Sequence, residues 1–163
     1  MSKTKTICIS GMVMALYIVT MLLTAGFAFG AYQVRIATAL YSLSYVFPFL
    51  VLPLALANTI SNMNGPLGML DVIGGFFIGV ITAGGVFLVK KLSLPRLLII
   101  FVIIVAPALI VPIWLSYVIN VPYIYLVVSI AIGQTLPAIA GYFLTFAVER
   151  IVKYEFKSFG RGK

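Results

Sequence analysis

The chain has 163 residues, 63% of them apolar and only 9% charged, with a mean hydropathy of +1.22. A soluble domain typically carries about 25% charged residues, and no soluble fold of this length has the interior to hide so much apolar surface. Lipid is therefore the expected solvent, and the composition predicts an all-α integral membrane protein of a single transmembrane domain. The net charge of +8 sits at the ends of the apolar runs. Lys3 and Lys5 open the chain, Lys90, Lys91 and Arg96 occupy one break, and Arg150, Lys153, Lys157, Arg161 and Lys163 close it. No basic face interleaved with aromatics is present to hold nucleic acid. The clusters read as cytoplasmic markers of membrane topology.

In chain order, the first apolar run extends from Ile7 to Phe29. It exceeds the usual ~7–15-residue core of a cleaved signal, so a retained helix over 7–29 is expected. Cys8, the single cysteine, cannot form an intrachain disulfide and reads as a small apolar residue. Gly11 and Ala15 form a small-xxx-small pair that lets another helix approach closely. A turn with Gly30, Gln33 and Arg35 follows. The next apolar stretch, Ile36 to Ile60, is interrupted by Pro48 and Pro53, and Ser61 to Pro66 is a loop on its composition. Further helices are expected over 67–89, over 95–117 after Ser93-Leu94-Pro95, and over 122–150 after Asn120-Val121-Pro122.

Three basic clusters on one side of a membrane require an even number of crossings between each and the next. Two crossings separate Lys91 from Arg150. Between Lys5 and Lys90 the 36–60 stretch must therefore cross twice, or enter and return. Its 25 residues give each leg only about 18 Å of α-helix, against a hydrocarbon core of about 30 Å. Two short, tilted helices (35–46 and 48–61) meeting near Phe47-Pro48 answer both demands, if neighbouring helices shelter their ends. The expectation is a six-helix bundle in the plasma membrane with both termini cytoplasmic.

That arrangement gathers Arg35, Asn62, Asn64, Asp71 and Asn120 near the outer face. Arg35 and Asp71 are the only charges outside the flanking clusters and the tail. A charge at membrane depth costs several kcal/mol unless paired or snorkelling. They read either as a structural ion pair or as walls of a ligand cavity, and a pair can brace a pocket. Gln134, beside Gly133 and a turn before Pro137, must point into the bundle, as a ligand contact or as an interhelical bond. Thr38 says less, since a threonine can bond its own helix backbone. Trp114, Tyr117, Tyr123 and Tyr125 read as an interfacial belt, with Trp114 far enough inside its span to stack on a planar ligand.

Several absences bear on function class. The chain has no histidine, no acid pair and no cysteine or histidine cluster for a metal. It also has no Gly-rich run ending in Lys-Ser or Lys-Thr to cradle a nucleotide phosphate. Neither an enzyme nor a self-powered pump is expected, and no cofactor is implied.

The segments Gly11-Met12-Val13-Met14-Ala15-Leu16-Tyr17-Ile18-Val19 and Phe27-Ala28-Phe29-Gly30-Ala31-Tyr32-Gln33-Val34-Arg35 resemble the start of the QueT family. These are queuosine-precursor substrate-binding (S) components of energy-coupling-factor transporters. Ala39-Leu40, Ala57-Asn58, Gly68-Met69-Leu70-Asp71-Val72-Ile73-Gly74-Gly75, Ile81-Thr82-Ala83 and Ile132-Gly133-Gln134 continue the resemblance over nearly the whole chain. It implies an S-component bundle with a ligand pocket near the outer face, lined by Gln33, Arg35, Thr38, Asn62, Asp71, Trp114 and Gln134. It further implies that Gly11 and Ala15 dock on a transmembrane coupling subunit, with two separate ATPase subunits supplying energy. The chain departs from the family's Gln-x-Arg-x-Ser-Glu-Ala-Leu pattern: Thr38 replaces one glutamate and Gln134 a later one. Two charge-assisted acceptors, each worth about 1.5–3 kcal/mol, are thereby lost. A preQ0- or preQ1-like deazapurine remains the leading ligand, with a less donor-rich heterocycle or another vitamin-like molecule as alternatives. The rival classes are a structural or assembly membrane protein and a homo-oligomeric channel.

Overall fold

A computed structural model describes residues 2–29 and 33–159, with side chains to Lys153. Gly30 of the expected turn, and Arg161 and Lys163 of the C-terminal cluster, lie outside the described residues. Within them every regular element is helical: α1 Lys3–Leu23, α2 Ala25–Ala28, a 3-10 helix Ile36–Tyr45, a 3-10 turn Pro48–Leu50, α3 Val51–Met63, α4 Gly68–Lys91, α5 Leu98–Ile110, α6 Pro112–Ile119 and α7 Tyr123–Phe159. Helices α1, α4 and α7 are each long and apolar enough to cross a membrane, and α5 with α6 makes a fourth such span broken by a 43° bend.

Several elements differ from the sequence expectation: α3 runs through Met63 into the expected 61–66 loop, α7 continues to Phe159 rather than 150, and three further differences stand out. The first helix stops at Thr24, whose backbone N–H and hydroxyl both turn back on Thr20 O, a side-chain bond that competes with helix propagation. The helix expected over 95–117 bends because Pro112 has no N–H for the carbonyl one turn earlier. The 35–46 leg is a 3-10 helix rather than an α-helix.

This 3-10 rod is central to the molecule. Ala37 to Ser44 are all buried, as befits a helix enclosed on every side. Its run of small residues lets neighbours close in: a Cβ added to Gly141 of α7 would lie 2.9 Å from Ala39 O. Ser44 Oγ donates to Ala83 O of α4 at 2.7 Å, and the Tyr17 and Tyr41 hydroxyls meet at 3.1 Å, tying the rod to α1. A 3-10 helix rises about 2.0 Å per residue, so ten residues reach about 20 Å where an α-helix would reach about 15 Å.

The rod's C-terminal end, at Tyr45, meets the basic cluster. Arg96 stacks over Tyr45 and Phe146 and pairs with Glu149, while Lys90 approaches the same Tyr45 ring. Its N-terminal end, at Arg35, meets Asp71 in the first turn of α4. Asp71 and Lys90 stand about 29 Å apart along α4 at 1.5 Å per residue. The polar groups at Arg35 therefore lie at the end of the bundle opposite the basic residues.

Candidate ligand-binding site

Arg35, 5% exposed, is held between three elements. Its Nη2 donates to Asp71 Oδ2 at 3.2 Å, Nη1 to Asn62 Oδ1 at 3.4 Å and Nε to Ala28 O at 3.4 Å, and its guanidinium lies over the Phe29 ring. Asp71 is 1% exposed. Its second oxygen accepts the Trp114 indole N–H at 3.2 Å, and its backbone carbonyl accepts Asn62 Nδ2 at 2.8 Å. The circuit closes on itself: each charge meets its counter-charge and both carboxylate oxygens are occupied, which is what a buried ion needs. Gly74 makes room for it, since a Cβ there would sit 2.6 Å from Trp114 Cζ2.

Beside this brace lies a cavity between the rod, the Gln33 segment and helices α3, α4, α5 and α7. Gln33, Arg35, Thr38, Tyr41, Asn58 and Gln134 form its polar wall, and Ile78, Pro107, Val111 and Ile130 its apolar wall. The space open to the centre of a water molecule is about 10 Å³, room for about one water. Small-molecule sites typically enclose about 300–1,000 Å³, so the cavity in this structure is far smaller than a ligand would need. Gln134 spans the mouth. Its Nε2 donates to Gln33 O at 3.2 Å and its Oε1 lies 2.7 Å from the Thr38 hydroxyl. That hydroxyl is also 2.7 Å from Arg35 O, and with one proton it serves one acceptor at a time. Gln33 itself adopts a positive φ of 43°, a costly conformation for a residue with a Cβ.

The structure thus brings Gln33, Arg35, Thr38 and Gln134 to one cavity, and sets Asn62, Asp71 and Trp114 behind it as the brace. Trp114 does not line the cavity: its indole is committed to Asp71 and packs on Gly74. Gly11 and Ala15 lie elsewhere, exposed on α1, and a Cβ on Gly11 would meet nothing within 4 Å. Two polar lining residues carry no site role in the sequence reading, Tyr41 and Asn58, nor do the four apolar ones. The signal for Tyr41 is its spacing from Arg35 and Thr38 at intervals of three, the period of a 3-10 helix. For Asn58 it is an amide inside an otherwise apolar run.

A family model for the QueT transporter matches residues 7–150. The chain belongs to the QueT transporter family. No curated protein and no solved structure matches it. Membership of this family makes the chain a membrane transport protein for a small-molecule substrate, in keeping with its apolar helices.

Proposed function

We propose that this chain is the substrate-binding S-component of an energy-coupling-factor importer, taking up a queuosine precursor, a preQ0- or preQ1-like deazapurine. The observation that carries the reading is the cavity walled by Arg35, Thr38, Gln134 and Gln33, braced by a buried ion pair at the end of the bundle away from the basic residues. Amides and a hydroxyl there can read the edge of a heterocycle, and the apolar wall can cover its face.

In this reading the chain crosses the plasma membrane six times with both termini cytoplasmic. The 3-10 rod and α3 serve as two short legs of about 20 Å each, sheltered by α1, α4 and α7. The placement of Lys3, Lys90, Lys91 and Arg96 away from the Arg35 end supports it. The exposed Gly11–Ala15 face of α1 is the docking surface for a transmembrane coupling subunit, and two ATPase subunits supply the energy.

The test is direct binding. The purified chain is titrated with 7-cyano-7-deazaguanine and 7-aminomethyl-7-deazaguanine, reading thermal stabilisation and heat of binding, and any copurifying small molecule is identified by mass. Stabilisation by at least one of them is expected, and Gln134→Ala should lower that affinity while the fold persists. No stabilisation by any deazapurine, purine or vitamin would remove the binding role. Unfolding by Gln134→Ala would make Gln134 an interhelical bond instead.

A further inference from the structure

Asn58 presents an atom that no described residue uses. It is 1% exposed on the buried face of α3, and its Nδ2 donates to Gly75 O of α4 at 2.8 Å. A carbonyl can only accept, so this bond fixes the amide's orientation and turns Oδ1 away from α4. Among the described residues Oδ1 has no hydrogen-bond partner, yet Asn58 lines the cavity. The two other unpartnered buried side-chain oxygens, on Ser42 and Thr82, belong to residues that do not line it. An orphaned buried acceptor is rare in a folded protein and asks for a donor from water or ligand.

Gln134, also in the cavity lining, repeats the arrangement. Gln33 O holds its amino group, so its Oε1 is the free end, contested only by a Thr38 proton that can turn to Arg35 O instead. The cavity thus displays two amide oxygens, each oriented by a backbone carbonyl. Its one charged lining residue, Arg35, is already paired with Asp71. Arg35 lines the cavity, whereas Asp71, with both oxygens engaged, does not.

We propose that Asn58 Oδ1 is a specificity-determining acceptor for a ligand N–H, and that the site selects a neutral, planar, donor-bearing heterocycle over a cationic one. The ligand N–H takes the place of the single water the small cavity can hold. A positively charged substituent would lie beside Arg35 with no free carboxylate to receive it. This inference rests on the deazapurine reading above and deepens it, since the neutral nitrile and the cationic aminomethyl compound differ in that charge.

The experiment measures binding of both compounds to the full-length protein, wild type and Asn58→Leu, by calorimetry and by thermal shift. The expected result has two parts. The nitrile binds wild type at least about 100-fold tighter than the amine, as an uncompensated buried charge demands. Asn58→Leu weakens nitrile binding by about 10- to 100-fold, the effect of stranding a ligand donor, while the ligand-free protein melts no lower than wild type. An amine that binds equally or better overturns the neutral selection, and undiminished nitrile binding by Asn58→Leu overturns the acceptor role. A large fall in the ligand-free melting temperature would mark Asn58 as structural. Asn58→Ser then decides, because its short hydroxyl cannot both hold Gly75 O and reach the ligand: retained affinity there also refutes the proposal. Failure of both compounds on wild type removes the deazapurine reading itself, an outcome separate from either result on Asn58.

Discussion

Removing one member of the Arg35–Asp71 pair should cost far more than removing both. The charges face each other at 3.2 Å with side chains 6% and 1% exposed. At an effective dielectric of about 20, Coulomb's law gives about 5 kcal/mol of gross attraction at that distance. The contact is a single hydrogen bond rather than a two-pronged fork, which places it below the strongest carboxylate–guanidinium pairs. Arg35→Gln or Asp71→Asn alone leaves a buried charge without its partner, and a loss of about 3 kcal/mol is expected from each. Asp71→Asn can keep the oxygen that accepts the Trp114 N–H, but its amide NH2 then faces the Arg35 donor, so the variant removes both the charge and the acceptor for Arg35. The double variant is neutral and should lose much less than the sum, with a coupling energy of at least about 2 kcal/mol. Unfolding free energies in mixed micelles, measured on all four proteins, give that coupling. Additivity to within about 0.5 kcal/mol would mean that water reaches both groups, and the picture of a dry, self-compensated brace would be wrong.

Trp114 is the only tryptophan, so its fluorescence reports the brace without labels: Gly74→Ala pushes a Cβ to 2.6 Å from the ring and should shift the emission and weaken ligand binding, at about 1–3 kcal/mol of overpacking. An unchanged spectrum would place the indole elsewhere. Gly141→Val, aimed at Ala39 O, should destabilise the isolated chain by about 1–3 kcal/mol, measured in the same micelles, whereas Gly11→Val should leave that stability unchanged and reduce copurification of a coupling subunit. Equal effects on the isolated chain would contradict the close approach of α7 to the rod. In intact cells, with Cys8 replaced by serine, an impermeant maleimide should label Asn64→Cys and spare Lys91→Cys. The reverse pattern, or equal labelling, would refute six crossings with cytoplasmic termini.

Much of the site was legible from scarcity alone. In a chain this apolar, Arg35, Asp71 and Gln134 stand out because lipid can satisfy none of them. The structure brings Arg35 and Asp71 together as a pair and sets Gln134 in the same cavity lining as Arg35. Membrane character followed from hydropathy, and the break of the 36–60 stretch into two helical pieces from Pro48. Side-chain direction was not legible. Trp114 reads as an interfacial or stacking ring, but only packing on Gly74 shows its N–H turned to Asp71. Asn58 was masked for the same reason: an amide in a helix can serve a neighbouring carbonyl or a ligand, and here it presents one group to each. The bend at Pro112 was visible as a proline, yet a proline alone states neither the angle nor whether the helix ends.

The deepest gap between sequence and structure lies in the pitch of one helix. Read with an α-helical period, residues three apart drift by about 60° per step, so Arg35, Thr38, Tyr41 and Ser44 would spiral halfway round the rod. In a 3-10 helix they eclipse. Three of the four then face the cavity together, and the fourth bonds Ala83 O. The same change of pitch lengthens the leg by about 5 Å over ten residues, which lets a short apolar segment join Asp71 at one end to the Arg96 cluster at the other. Enclosure makes this tolerable, since the poorer geometry of 3-10 hydrogen bonds is offset by α1, α4 and α7 packing on small side chains from every direction. The length of the rod and the alignment of its cavity-lining residues are thus consequences of a single conformational choice. A change that returned the rod to an α-helix would shorten the leg and swing Tyr41 about 120° away from Arg35, dismantling the polar wall without altering any residue in it.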